Sequence, residues 1–382
     1  MSSGRSLTAM SAFSMAGNTP LVVQPMIVGA MVDLVGLTER QAGILASVEL
    51  TGMTLGTLAL IGVLNRFKRP TLAVFAVATI IGANVLTCLV SGFEWLLPLR
   101  FLSGLGAAAA LSVYYNMAAS DERPEHVFAI VNAISIAYSG VMTLGAPYIL
   151  RTGGLSGMLL TLSFITSLAL LTVPWAATAV TAVIRNETPA KIRSVPRLVL
   201  PLLAMMLLLY TGHGAIWAFQ ERIGVATGLS NHVVGRWLGV SMLVWGVGGS
   251  LLARALGLSI GRVWPQLISL GASCVAALLL VFGSTSFTFA ASSGLIAFSW
   301  FYGLPYQMGL LAARDPKGRA ALAGVMMSTG GMALGPGIAV LLLVGRGHWP
   351  IGVFAGVCYL MALIIAVPSA RGVSRTAELQ PA

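Results

Sequence analysis

The feature that constrains this chain most is a succession of long apolar runs that carry no charge. Residues 155–183 and 198–219 contain no Asp, Glu, Lys or Arg, and similar runs follow one another along the sequence. About 20 apolar residues are needed for a helix to span a bilayer, whereas a barrel strand needs only about 10 alternating ones. These runs therefore read as membrane-spanning helices. Only 9% of the 382 residues are charged and 57% are hydrophobic. A soluble fold needs roughly 25% charged residues to cover its solvated surface, and disorder needs low hydrophobicity. Both are excluded, and the chain reads as an all-α polytopic membrane protein.

Breaks in the apolar runs give twelve spans, near 7–32, 40–64, 70–92, 95–119, 125–150, 155–183, 197–220, 232–256, 263–283, 287–312, 318–344 and 349–369. One longer polar stretch, with Arg185, Lys191, Arg193 and Arg197, separates two halves. The expected organisation is an N-terminal six-helix bundle over 1–184, a cytoplasmic linker over 185–197, a C-terminal six-helix bundle over 198–370 and a cytoplasmic tail over 371–382. With the N-terminus inside, most of the 22 basic residues fall on the cytoplasmic side, leaving Arg40, Arg151, Arg222, Arg236 and Arg346 outside. That is the positive-inside pattern, so both termini are expected in the cytoplasm of a bacterial-type inner membrane. The net charge of +11 then serves orientation, and no nucleic-acid partner is expected. Cys88, Cys274 and Cys358 lie within spans without paired spacing and read as free thiols. His126, His232 and His348 stand apart in loops, so neither a metal nor a cofactor is expected.

Comparing the two halves reveals a weak repeat. Gly36-Leu37-Thr38 followed by Gly43 recurs as Gly228-Leu229-Ser230 followed by Gly235. Each has a turn glycine before a hydroxyl residue able to cap the next helix, and Gln41 completes a capping box in the first copy. Gly140-Val141-Met142-Thr143-Leu144-Gly145 recurs as Gly330-Gly331-Met332-Ala333-Leu334-Gly335. Parallel six-helix repeats are the build of one large class of secondary transporters. The halves are therefore expected to be pseudo-symmetric.

Span four contains Arg100-Phe101-Leu102-Ser103-Gly104-Leu105-Gly106, which is similar to the Arg-x-x-x-Gly-x-Gly helix motif of the major facilitator superfamily. Gly140, Gly145 and Pro147 in span five resemble that family's Gly-Pro motif, with a fuller copy at Gly331, Gly335 and Pro336 in span eleven. The loop after span two departs from the family signature. Asn65 stands where an acid is usual, Arg66 matches, and Lys68-Arg69-Pro70 replaces the ending. The resemblance covers essentially the whole chain. It implies alternating access, with Gly104, Gly106 and the span-five and span-eleven residues as packing or rocking contacts. It also makes Asn65, Arg66 and Arg69 a cytoplasmic gate loop.

Charge at membrane depth costs at least ~2.5–3.5 kcal/mol, so each case calls for a partner or a function. Glu49 lies roughly 13 Å inside span two, Arg100 enters span four from the same side, and His213 sits past the middle of span seven. Three readings fit Glu49 and Arg100: a static neutralising pair, a carrier of the coupling proton, or direct substrate contact. His213 has the titration range for coupling, or bonds a neighbouring helix. Adjacent Glu221 and Arg222, at the expected outer end of span seven, read as solvated. The residues expected to meet substrate are Asn18 and Gln24 in span one, Tyr114 in span four, and Trp217 and Gln220 in span seven. Span ten adds Trp300, Tyr302, Tyr306 and Gln307. Asn18-Thr19-Pro20 is also expected to break span one and free carbonyls.

The expected function is secondary active transport of a small organic solute by a monomer in the lipid bilayer, coupled to protons through Glu49, Arg100 and His213. The family resemblance implies export by antiport. Proton symport of an organic anion such as a carboxylate is the alternative, resting on Arg100 and His213. A membrane enzyme would need clustered acid, histidine or metal-ligand residues, and a receptor a signalling loop. The sequence offers neither, nor a phosphate-binding loop.

Overall fold

Among the described residues of the structure, a computed structural model, ten helices are long and apolar enough to cross a membrane. The structure describes residues 4–61, 68–121, 124–178, 197–283, 285–315, 319–343 and 347–378, and all regular structure among them is helical. One of the ten, His126–Ala176, counts double. At about 1.5 Å per residue it is more than twice as long as the ~30 Å hydrocarbon layer is thick. Its helical path is interrupted at Gly154, whose φ of 62° and ψ of −164° turn the chain between spans five and six. A further crossing is made of pieces too short to qualify singly. Span one consists of helices Gly4–Gly17, Thr19–Val22 and Gln24–Asp33. Counted this way, the described residues make twelve crossings, in line with the apolar runs.

The remaining helices of the N-terminal half are Glu39–Ile61 for span two, Arg69–Leu89 for span three and Phe93–Ala118 for span four. In the other half Leu200–Ala226 forms span seven. Span eight is Asn231–Val240 and Val247–Leu256 joined through a π-helical turn, Ser241–Gly246. Val263–Phe282, Ser286–Arg314, Arg319–Leu342 and Trp349–Glu378 follow as spans nine to twelve. The chain divides into two compact units, Met1–Pro189 and Ala190–Ala382.

The repeat seen in sequence has the same geometry in both units. Gly36 and Gly228 take φ of 77° and 86°, a left-handed turn that only glycine adopts without strain. Two residues on, the Thr38 hydroxyl accepts from the Gln41 backbone N–H at 3.2 Å, and Gln41 Oε1 accepts from the Thr38 N–H at 3.0 Å. In the second unit Ser230 Oγ accepts from the Val233 N–H at 3.4 Å. Each unit thus enters its second crossing through a glycine turn and a hydroxyl cap.

In the N-terminal unit span four is the packing hub. Its small residues let the backbones of spans one, two and three come close, the usual way helices associate in lipid. A Cβ on Gly106 would meet the Ala76 carbonyl of span three at 3.0 Å. One on Gly104 would overlap the Glu49 carbonyl of span two. In the C-terminal unit the same device joins spans seven and eleven. A Cβ on Gly331 would meet the Leu207 carbonyl at 2.8 Å, and one on Gly335 would collide with the backbone of Ala215.

Candidate functional site

The break in span one is where the site begins. Asn18 spends its amide locally, donating from Nδ2 to the Ser14 carbonyl at 2.8 Å. Val23 leaves the helical region at φ −130° and ψ 25°, followed by Pro25, which has no N–H to return to the preceding turn. The carbonyl of Val22 is taken up by span five, whose Ser139 and Thr143 hydroxyls donate to it at 3.0 and 3.1 Å. The main break therefore falls at Val23, about a turn past the expected Asn18-Thr19-Pro20, and span five holds it in place. Just beyond it Gln24 is buried at 2% exposure, and neither Oε1 nor Nε2 has a hydrogen-bond partner.

Gln24 lines a small pocket together with Glu49 and Arg100, with Ile27, Met31 and Leu45 among its apolar walls. The two charges are paired, Arg100 Nη1 donating to Glu49 Oε1 at 3.2 Å. The other end of the guanidinium fork is also occupied. Arg100 Nη2 donates to Thr87 Oγ1 at 2.7 Å and Asn84 Oδ1 at 3.0 Å, and reaches the Ala83 carbonyl at 3.4 Å. One arginine thereby ties spans two, three and four. Gly104, a turn beyond Arg100, has a direct part in this. Because it lacks a side chain, the Glu49 backbone can lie against span four and bring its carboxylate to Arg100.

Tyr114 is elsewhere. It lies about 21 Å along span four from Arg100, packed with Tyr115 and Phe128 at ring separations of 4.8 and 5.7 Å. At the same end Arg69 Nη2 donates to Ser120 Oγ at 3.1 Å, joining the start of span three to the end of span four. Asn65 and Arg66, the other expected gate-loop residues, lie outside the described residues.

The second unit carries a separate polar-aromatic cluster on span seven. His213 is fully buried, with Nδ1 3.0 Å from the Leu209 carbonyl and Nε2 3.2 Å from Ser299 Oγ. Its ring lies among those of Tyr210, Trp300 and Tyr359, at 5.1–5.9 Å. The aromatic stretch of span ten divides by helical period. Ser293, Trp300 and Gln307, seven apart, face span seven: Gln220 Nε2 donates to Ser293 Oγ at 2.9 Å, Trp217 meets Trp300 at 6.4 Å, and Tyr210 donates to Gln307 Oε1 at 3.4 Å. Tyr302 and Tyr306 point away, into a core with Ala253 of span eight, where Tyr306 Oη donates to the Ala253 carbonyl at 3.2 Å.

Glu221 and Arg222 need a correction. They are buried rather than solvated, and form a two-pronged pair with Arg222 Nε and Nη2 donating to the Glu221 carboxylate at 2.6 and 2.9 Å. Span seven continues to Ala226, so the pair lies inside the helix rather than at its end. The glycines of spans five and eleven also part company. Gly331 and Gly335, beside buried Pro336, contact span seven of their own unit, whereas a Cβ on Gly145 would meet only Ile149 of its own helix, at 3.9 Å. Gly140 is buried and Pro147 half-buried. No group of His, Cys, Asp and Glu suited to a metal occurs among the described residues.

These observations define a multi-pass helical membrane protein with a buried ion pair and an adjacent unsatisfied amide in one unit. No protein-family model matches the sequence, and no curated protein is similar to it. Among solved structures the fold matches that of the nucleoside transporter NupG (D323A mutant), with a TM-score of 0.71 over 97% of this chain and 99% of that one. Sequence identity is 12%, so the likeness concerns the fold.

Proposed function

We propose that the chain is a secondary transporter that moves an uncharged small organic solute across the membrane by alternating access, with proton coupling through Glu49. The observation that carries this reading is the membrane-embedded pocket in which unpartnered Gln24 faces the Glu49–Arg100 pair. An arginine available to anchor an anionic solute would keep its fork open. Here both Nη groups are engaged, Nε alone is left without a partner, and Glu49 balances the charge, which favours a neutral solute over a carboxylate. Nucleosides are the first class to test, since the matched transporter of the same fold is described as one for nucleosides.

Protonating Glu49 would remove the charge facing Arg100 Nη1 while Asn84 and Thr87 continue to hold Nη2. One proton can thus loosen span two from span four without unravelling the unit, and this is a route by which proton and solute binding become linked. His213, bonded within its own unit, is secondary in this scheme. The basic loops support an inner-membrane location with both termini cytoplasmic, and the family resemblance supports export. Proteoliposomes loaded with labelled uridine and given an inward proton gradient provide the test. Wild type expels uridine against its concentration gradient, whereas Glu49→Gln exchanges uridine without proton-driven expulsion. Undiminished coupling in that variant removes Glu49 as the carrier, and uridine entering with the proton replaces export by import.

A further inference from the structure

Gln24 is an unusual group to bury without a partner, because an amide taken out of water loses hydrogen bonds on both of its ends. Asn84 Oδ1, Gln307 Oε1 and Gln220 Nε2 each keep at least one bond in the protein, whereas Gln24 and, in the other unit, Gln266 keep none; of these two only Gln24 lines the pocket with the charged pair. It stands beside the break in span one, held there by the bonds from Ser139 and Thr143 to the Val22 carbonyl. It opens onto the pocket that Glu49 and Arg100 share.

Resting on the transport reading above, we infer that Gln24 reads an amide-type edge on the solute: a donor and an acceptor side by side, as in the imide of a pyrimidine base or a carboxamide. A primary amide offers Nε2–H as donor and Oε1 as acceptor in one plane, so such an edge satisfies both atoms at once. A carboxylate offers acceptors only. It would leave Oε1 unpaired and bring a second negative charge towards Glu49. Ile27, Met31 and Leu45 give the pocket apolar walls, but it has room for only about one water as it stands, so a ring enters only as the surrounding helices part. Sites built around such hydrogen bonds discriminate strongly, because an analogue lacking one donor leaves a buried polar atom unmatched.

The experiment compares equilibrium binding of uridine and N3-methyluridine to the full chain in lipid nanodiscs. The methyl group replaces the imide donor and leaves the ring and ribose in place. Wild type is expected to bind uridine at least tenfold more tightly. In Gln24→Leu, of similar shape, that discrimination collapses while the unfolding midpoint stays equal or rises, because an orphaned amide has been removed. Gln24→Asn, which keeps the amide but draws it back by one methylene, is expected to weaken uridine binding in a folded background if the leucine variant misfolds. Equal binding of the two ligands by wild type, or full discrimination retained in Gln24→Leu, overturns the inference. So does wild-type protein that ignores uridine but moves another solute in the vesicle assay, an outcome that leaves transport standing. Movement of no solute removes both.

Discussion

Replacing Arg100 or Glu49 singly by leucine strands the opposite charge inside the N-terminal unit. Their side chains are 1% and 7% exposed, so neither charge can turn to solvent without moving a helix. Breaking one side of such a pair costs on the order of 3–5 kcal/mol, whereas exchanging both partners for apolar groups of similar volume is often close to neutral. The double variant still forfeits the bonds from Arg100 to Asn84 and Thr87, so it falls short of wild type. It should nevertheless be more stable than Arg100→Leu alone. A thermodynamic cycle of wild type, both singles and the double is then expected to give a coupling of at least about 3 kcal/mol. Equilibrium unfolding of the detergent-solubilised chain, followed by tryptophan fluorescence, measures it. Glu49→Gln belongs beside the cycle as the mildest change, since its amide oxygen can still accept from Arg100 Nη1. Additivity of the two singles to within about 0.5 kcal/mol would refute the reasoning, because it would mean that the charges do not sense each other.

Gly104→Ala forces span two off span four at the Glu49 carbonyl, and overpacking of this kind costs about 1–3 kcal/mol. If the proposed transport holds, it should fall further than stability does, which paired transport and unfolding measurements will show. Either Ser139→Ala or Thr143→Ala leaves one donor on the Val22 carbonyl and should cost at most about 1 kcal/mol, whereas the double variant orphans it and should cost about 1–3 kcal/mol in the same unfolding assay. Gly335→Leu pushes spans seven and eleven apart through the backbone of Ala215, and is expected to abolish the folded C-terminal unit as judged by monodispersity on gel filtration. Thr38→Ala removes the cap on span two at a cost of about 1 kcal/mol, and Thr38→Ser should restore it.

Much of this was legible in the sequence because membrane insertion leaves few choices. Lipid rewards uninterrupted helices, so run length alone located the crossings, and the glycine turns with their hydroxyl caps were visible at Gly36-Leu37-Thr38 and Gly228-Leu229-Ser230. The Glu49–Arg100 pair was legible because charge in a span demands a reason. What hydropathy cannot show is which way a side chain turns once inside. Asn84 and Thr87, one turn apart on span three, look like ordinary polar residues until Arg100 is seen between them. The same blindness merged Trp300, Tyr302, Tyr306 and Gln307 into one surface, whereas the helical period sends them to two neighbours. Glu221 and Arg222 misled for another reason. Hydropathy ends a span at the first charges, but adjacent opposite charges that neutralise each other can remain within it.

The arginine that ties three spans together also has an order in time. Every group that receives Arg100, namely Glu49, Ala83, Asn84 and Thr87, precedes it in the chain. A ribosome feeding this protein into the membrane therefore delivers the most costly residue of span four to acceptors that have already been made. Glu49 has no such advantage. Its partner is 51 residues downstream, roughly 3–10 s away at 5–20 residues per second. During that interval span two waits at the translocon, or in lipid, with a carboxylate and no cation. Biogenesis of the N-terminal half is accordingly most exposed to failure before span four emerges, and a stall or truncation there would strand an insertion intermediate that its own next helix is needed to stabilise.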